Sequence, residues 1–141
     1  MMKVLLDTNI VLDGIAAREP FRESAESIFR LIKDKKVAAF ITANSITDIY
    51  YISRKSRDES ETREALRIIL GTFSVVDVLG RDCREALDYP LDDYEDALLA
   101  VCGHKAKVDC IITRDKHMLE AKKNETKILS PESFLKKVSR K

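Results

Sequence analysis

The stretch Val4-Leu5-Leu6-Asp7-Thr8-Asn9 places an acidic side chain directly after a short apolar run. The same order returns far along the chain in Cys110-Ile111-Ile112-Thr113-Arg114-Asp115. Short apolar runs without polar alternation are typical of parallel strands that are buried on both faces. The carboxyl ends of parallel strands share one edge of a sheet, where open α/β folds build their sites. We therefore predict that Asp7 and Asp115 lie close together at that edge.

Strand and helix patterns alternate along the whole chain. The predicted strands are residues 2–6, 37–41, 74–79, 109–113 and 127–129. The predicted helices are residues 10–18, 21–35, 42–55, 61–72, 81–87, 93–105 and 116–122, with a charged turn at 56–60 and a last helix opened by Ser130 and Pro131. This alternation predicts an α/β fold, a three-layer α/β/α sandwich around a mainly parallel sheet of about five strands. The length of 141 residues favours one domain over residues 1–141.

The overall composition narrows the class of protein. A net charge of +1, with 35% charged and 45% hydrophobic residues, is typical of a charge-rich globular protein rather than a disordered one. No apolar run approaches the ~18 residues of a membrane span, so no membrane partner is expected. Three cysteines without a CxxC pair favour reduced thiols in the cytoplasm. The four glycines fit no phosphate-binding loop, which argues against nucleotide binding.

Two further acids, Asp48 and Asp96, fall in predicted helices that should pass the same sheet edge. Any one of these four aspartates could be an ordinary helix cap, but converging carboxylates repel one another unless protons or cations are present. A hard divalent cation with oxygen ligands, Mg²⁺ or Mn²⁺, resolves that repulsion. Such an ion activates bound water and supports phosphodiester cleavage. The predicted catalytic and metal-binding set is therefore Asp7, Asp48, Asp96 and Asp115.

Three segments, taken in order, resemble the PIN domain, and most closely its toxin type from bacterial and archaeal toxin–antitoxin modules. They are Leu5-Leu6-Asp7-Thr8-Asn9-Ile10, Asp93-Tyr94-Glu95-Asp96-Ala97-Leu98 and Ile112-Thr113-Arg114-Asp115. The resemblance covers the whole chain. It implies a metal-dependent endoribonuclease with an RNA substrate, usually a homodimer that is silenced by a small antitoxin protein.

The resemblance also implies roles for individual residues. By position, Asp7, Asp96 and Asp115 correspond to metal-site acids, Asn9 to the polar residue that supports the first of them, and Thr113 to the hydroxyl residue beside the last. The remaining family acid is usually Glu, in the helix after the second strand. This chain has Asp48 there, which is shorter by one methylene, so coordination through water is expected at that position.

Three other charged residues of the second and third segments are further candidates for the site. Asp93 lies one helical turn before Asp96 on the same face, so it is either a fifth metal-site acid or a helix N-cap. Glu95 points about a third of a turn away and is expected to be solvated or one layer behind the ligands. Arg114 stands next to Asp115, which makes it the preferred candidate for contact with RNA phosphate.

Two other functions remain open from the residues alone. A non-catalytic PIN-like module that binds RNA or a protein partner is motivated by the departure at Asp48. A Mg²⁺-dependent phosphotransfer enzyme would use Asp7 as a covalent nucleophile. Such enzymes usually carry a second acid two residues later, whereas this chain has Asn9, so the ribonuclease interpretation is preferred.

Overall fold

The computed structural model describes residues 1–121 and 125–139. The strands that it contains are β1 (Met2–Leu6), β2 (Val37–Thr42), β3 (Ser74–Val76), β4 (Cys110–Ile112) and β5 (Lys127–Leu129). The helices are α1 (Thr8–Ile15), α2 (Arg22–Lys33), α3 (Ala43–Ser53), α4 (Glu59–Thr72), α5 (Gly80–Ala86), α6 (Tyr94–Lys105), α7 (Lys116–Glu120) and α8 (Pro131–Ser139). These bounds keep the predicted order of elements.

The described strands form one five-stranded sheet in the order β3-β2-β1-β4-β5. Every neighbouring pair is parallel, and β1 pairs with both β2 and β4. The register of β1 on β4 sets Leu6 beside Ile112, so the two strands end level with each other. The predicted parallel α/β sheet is confirmed. Its two central strands end where the sequence places Asp7 and Asp115.

Alternation along β1 divides the core into two layers. Val4 and Leu6 belong to an apolar cluster with residues of α1, α2, α3, α4 and α8. Leu5 belongs to a second cluster on the other face, with residues of α5, α6 and α7. Successive strand side chains point to opposite faces, and both faces here are covered by helices. This arrangement is the predicted three-layer α/β/α sandwich.

Helix α6 lies deep against the sheet, as its uninterrupted apolar stretch predicts. All residues from Ala97 to Gly103 are buried. A Cβ atom added at Gly103 would lie 2.9 Å from Cδ1 of Ile111 and 3.3 Å from Cδ2 of Leu5. Glycine is therefore required for this close approach of helix and sheet. This approach brings the C-terminal part of α6 onto the sheet, whereas Asp96 lies in the first turn of the same helix.

Several predicted boundaries were wrong by a few residues. The first helix covers 8–15 and not 10–18, the third strand covers 74–76 and not 74–79, and the predicted helical turn at 116–122 is helical over 116–120, with residue 122 outside the described residues. Helix α4 begins at Glu59, inside the predicted turn. Asp58 accepts from the backbone N–H of Glu61 at 2.7 Å, and the Glu61 carboxylate accepts from the backbone N–H of Asp58 at 3.1 Å. This capping box determines the start of α4.

Within the described residues, no helix is both long enough and apolar enough to cross a membrane.

Candidate functional site

A cavity of about 410 Å³ lies at the carboxyl edge of the sheet, over the ends of the central strands. Its lining includes the four predicted site acids together with Asp93 and Glu95. None of the described residues that line it is a lysine, arginine or histidine. The structure therefore brings together acids from α3, α6 and the ends of β1 and β4 in one strongly acidic cavity.

The first and last acids are held by the strand ends. The backbone N–H of Asp7 donates to the carbonyl of Ile112 at 3.0 Å, which ties the end of β1 to the end of β4. Asp115 is the N-cap of α7, and its Oδ1 accepts from the backbone N–H groups of His117 and Met118 at 2.8 and 3.2 Å. The backbone of Asp7 is thus fixed at the end of β1, whereas the Asp115 carboxylate itself is held by backbone N–H groups and still lines the cavity.

Thr113 joins these two acids. Its side chain is fully buried. The hydroxyl donates to Oδ2 of Asp7 at 2.8 Å and accepts from the backbone N–H of Asp115 at 3.1 Å. One buried hydroxyl therefore sets the orientation of the Asp7 carboxylate relative to the turn that carries Asp115.

Asp93 combines the two interpretations that the sequence leaves open. It is the N-cap of α6, where its Oδ1 accepts from the backbone N–H of Asp96 at 3.1 Å, and it also lines the acidic cavity. Glu95 is exposed and also lines the cavity. The exposure of Glu95 agrees with the solvated position expected for it, and its place in the cavity lining adds a sixth acid to the site.

A chain of hydroxyls under the cavity escaped the sequence analysis. The hydroxyl of Ser45 lies 2.7 Å from that of Thr8 and 3.0 Å from that of Thr42. Ser45 is almost fully buried, and it precedes Asp48 by three residues on the same face of α3. These bonds hold α3 against α1 and so place Asp48. The run of polar residues directly after β2 was the available signal.

Asn44 has a buried side-chain oxygen without a hydrogen-bond donor among the described residues. Its side-chain Oδ1 is buried and accepts no hydrogen bond from the described residues, although Asn44 lines the acidic cavity. A buried acceptor without a donor is costly, and in native proteins such atoms commonly mark the place of an ion, a water or a ligand.

The acids raise one another's pKa values. Burial, and then the charges of Asp115, Asp93, Asp7 and Glu95, raise the pKa of Asp96 to about 7. Burial also raises the pKa of Asp7, against the opposing effect of the hydrogen bond from Thr113. Burial and the charge of Asp48 raise the pKa of Glu95. Such mutual destabilisation of the charged forms is the electrostatic condition under which a bound cation is most favourable.

The oxygen donors of the acidic cavity suit a divalent metal ion, but their side chains are not already arranged around one position. Carboxylate, amide and hydroxyl oxygens are the donors that Mg²⁺ and Mn²⁺ prefer. In residues 1–121 and 125–139, however, no three His, Cys, Asp or Glu side chains are already arranged to hold an ion. Coordination by three of these carboxylates therefore requires rotation of side chains or water bridges. Mg²⁺ commonly uses only one or two direct carboxylates and keeps several waters.

Arg114 lies beside the site but is occupied by another acid. Its Nε donates to Oδ2 of Asp13 at 2.9 Å and its Nη2 to Oδ1 at 3.1 Å, and its guanidinium stacks 3.9 Å from the centre of the Phe21 ring. Asp13 was not singled out from the sequence, where it resembles any acid in a predicted helix. The expected contact between Arg114 and RNA stays a prediction, and the structure gives this side chain an intramolecular partner.

Asn9 is also engaged near the cavity. Its backbone carbonyl and its side-chain Oδ1 accept from Nη2 of Arg18 at 3.3 and 3.1 Å. Asn9 lines the cavity with Asp7, two residues before it. The expected support of Asp7 by Asn9 stays a prediction, because these hydrogen bonds of the Asn9 side chain and carbonyl go to Arg18.

Comparison with known proteins agrees with this architecture. A toxin–antitoxin complex from Klebsiella pneumoniae is 19% identical, with 91% of this chain and 97% of that chain covered and a TM-score of 0.66. VapBC2 from Rickettsia felis bound to a promoter DNA fragment is 16% identical, with coverage of 92% and 98% and a TM-score of 0.65. VapC20 from Mycobacterium tuberculosis, a sarcin-ricin-loop-cleaving toxin, is 15% identical, with coverage of 82% and 92% and a TM-score of 0.63.

These structures share the fold at low sequence identity, and no curated protein matches the chain. The family model described as the PIN domain matches residues 3–117. That match spans the segments from β1 to α7 and includes every residue that lines the acidic cavity. The resemblance first seen in three short segments is thereby confirmed, and the chain belongs to the PIN domain family.

Proposed function

We propose that this protein is a metal-dependent endoribonuclease that cleaves RNA phosphodiester bonds at the acidic cavity. The observation that carries the proposal is the set of carboxylates that line one cavity over the ends of β1 and β4 in a PIN domain. VapC20, which shares the fold, is a toxin that cleaves the sarcin-ricin loop. We extend RNA cleavage to this chain on the strength of the cavity's chemistry.

Each acid has a defined part in the proposal. Asp7, Asp96 and Asp115 would hold Mg²⁺ or Mn²⁺ with Asp48 and Asp93, some of them through water. A bound ion of this kind lowers the pKa of its water and stabilises charge on the phosphate oxygens. Thr113 donates to one Asp7 oxygen and so orients this carboxylate in the cavity lining. At Asp96, protons and metal ions would compete for the same carboxylate, because its pKa is raised to about 7.

The test is cleavage of a mixed pool of structured RNA with and without Mn²⁺. The wild-type protein is compared with Asp96→Asn and with Asp88→Asn, an exposed aspartate outside the acidic cavity that serves as the matched control. Metal-dependent cutting that is lost in Asp96→Asn and kept in Asp88→Asn supports the proposal. Undiminished cutting by folded Asp96→Asn would exclude a role for this carboxylate.

We also propose that the protein is the cytoplasmic toxin of a toxin–antitoxin pair, with a homodimer as its own assembly and a small antitoxin as its partner. Two of the similar structures are toxin–antitoxin complexes. Apolar side chains on α3 and α4 are exposed and available for such contacts, namely Tyr51, Ile52, Ile68 and Leu70. Light scattering of the purified protein tests the homodimer. Co-purification with the product of a neighbouring short reading frame tests the partner.

A second candidate function is a non-catalytic PIN-like module that binds RNA or a protein. Two observations favour it: Asp48 stands where the family usually has Glu, and no three acids among the described residues are arranged to hold an ion. It predicts that partner binding survives Asp7→Asn and that no RNA is cut with any metal. Folded wild-type protein that binds RNA without turnover would place this function ahead of the nuclease.

A further inference from the structure

A buried carboxylate joins two arginines beside the acidic cavity. Asp13, on α1, is 1% exposed, and it faces the guanidinium groups of both Arg18 and Arg114. Arg18 donates from Nε to Oδ1 at 3.0 Å, while Arg114 donates to both carboxylate oxygens at 2.9 and 3.1 Å. The two arginine side chains are about one-third exposed, so only the carboxylate is withdrawn from water. We call these three residues the Asp13 clamp.

Each arginine of the clamp reaches a different part of the acidic cavity. Arg18 holds the backbone carbonyl and the side-chain oxygen of Asn9, which lies two residues after Asp7 and lines the cavity. Arg114 directly precedes Asp115 and is covered on one face by the ring of Phe21. The clamp therefore connects the first turn of α1, which carries Asn9, with the turn after β4 through a single carboxylate.

We propose that Asp13 is a positioning residue, which acts through Arg18 and Arg114 to hold the Asn9 turn and the Asp115 turn in register and so makes the cavity competent to bind a divalent cation. This inference rests on the proposed function. It assigns Arg114 to the protein's own architecture in place of contact with RNA.

The geometry distinguishes a positioning device from an incidental ion pair. Two-pronged bonds between arginine and carboxylate fix orientation as well as distance. Phe21 restricts the guanidinium further from the side, and the burial of Asp13 shields the pair from solvent competition. The backbone bond from Asp7 to Ile112 and the Thr113 hydroxyl already join the two strand ends at one point. The clamp adds a second connection, between α1 and the turn after β4, through the two bonds from Arg114 to Asp13.

The experiment measures Mn²⁺ binding and RNA binding separately. Metal-free protein is titrated with MnCl₂ by calorimetry, and binding of a fluorescent RNA oligonucleotide is followed by anisotropy in EDTA. The variants are Asp13→Asn, Arg18→Met and Arg114→Met. Arg22→Met is the matched control, because Arg22 forms an exposed pair with Glu26 on α2. Circular dichroism and thermal unfolding establish that each variant is folded.

We expect each clamp variant to weaken Mn²⁺ binding about tenfold or more, as loss of residues that orient metal ligands commonly does. RNA binding in EDTA should be unchanged, and Arg22→Met should behave as wild type in both assays. If Asp13→Asn does not fold, the two arginine variants still test the inference. In each of them Asp13 keeps one arginine partner, so the carboxylate is not left unpaired. Phe134→Leu, which disturbs a buried residue of α8, controls for loss of stability alone.

Three results would overturn the inference. Mn²⁺ dissociation constants within twofold of wild type in folded variants would reduce the clamp to a structural ion pair. Weaker RNA binding by Arg114→Met with unchanged Mn²⁺ binding would return Arg114 to the role of a phosphate contact. A wild-type protein that binds no Mn²⁺ would remove the proposed function itself, and this inference with it. The first two results would remove only this inference and would leave the proposed function in place.

Discussion

Replacing Asp96 with asparagine should stabilise the metal-free protein while it removes activity. The Asp96 carboxylate shares its cavity with five other carboxylates and no described basic side chain, and its pKa is raised to about 7 by burial and by these neighbours. Asparagine keeps the shape of the side chain and removes the charge. The backbone N–H of residue 96, which donates to the Asp93 carboxylate, is unaffected by the change.

The magnitude follows from the difference in pKa between the folded and unfolded states. Each unit of difference corresponds to about 1.36 kcal/mol, so a rise from 3.8 to about 7 sets an upper limit of about 4 kcal/mol. Asp96 is only partly buried, and water screens the neighbouring charges, which reduces the expected gain to about 1–2 kcal/mol. For a chain of this length the melting temperature should rise by about 3–6 °C.

The sign of the pH dependence follows from the same shift. Between about pH 4 and pH 7 the folded protein retains a proton on Asp96 that the unfolded chain has released. The stability of the wild-type protein therefore falls as pH rises through this range, and the full penalty is present only above about pH 7. The advantage of Asp96→Asn should be greatest at pH 8 and should disappear towards pH 4.

The assay is thermal unfolding in EDTA at several pH values from 4 to 8, followed by circular dichroism. Asp88→Asn serves as the control, because Asp88 is exposed and lies outside the acidic cavity. Addition of Mn²⁺ should raise the melting temperature of the wild type more than that of Asp96→Asn, which reverses their order. An Asp96→Asn protein that is no more stable than wild type at pH 8, or whose advantage is independent of pH, would refute the electrostatic reasoning.

Three further predictions concern packing, capping and the hydroxyl bridge. Gly103→Ala should destabilise the fold by about 1–3 kcal/mol in urea unfolding, because the new methyl group would overpack against Ile111; an unchanged midpoint would contradict this contact. Asp58→Ala should cost about 0.5–2 kcal/mol through loss of the α4 capping box, whereas Asp58→Asn should retain most of it. Thr113→Val should raise the pKa of Asp7 further and weaken Mn²⁺ binding measured by calorimetry, because the carboxylate loses its hydroxyl donor; equal binding would show that the bridge is dispensable.

Much of the fold was predictable because its signals are local. The apolar runs at Val4–Leu6 and 110–112 have the length of buried parallel strands, and a carboxylate at the end of each follows directly from the chain order. Parallel strands need crossover connections, which are usually helices. The alternation of strands and helices was therefore sufficient to predict the three-layer arrangement. The boundaries were less certain, because caps such as Asp58 compete with hydrophobic periodicity.

The convergence of the acids was predictable in outline for the same reason. Residues that follow neighbouring parallel strands must meet at one edge of the sheet. The proximity of Asp7 and Asp115 could therefore be predicted from the sequence. The supporting contacts were not predictable, because they depend on how separate elements face each other. The hydroxyls of Thr8 on α1 and Ser45 on α3 are 37 residues apart in the chain, and nothing in that spacing indicates that they meet.

The sequence by itself determined the parallel sheet, the layers and the edge at which the carboxylates collect. Only the tertiary structure decided what the charged side chains near that edge bind. Asp13 and Arg114 are far apart in the chain, and their pairing exists because α1 packs beside the end of β4. Hydrophobic periodicity is a property of neighbouring residues, whereas an ion pair between distant segments depends on distance and burial, which arise only when the layers have assembled.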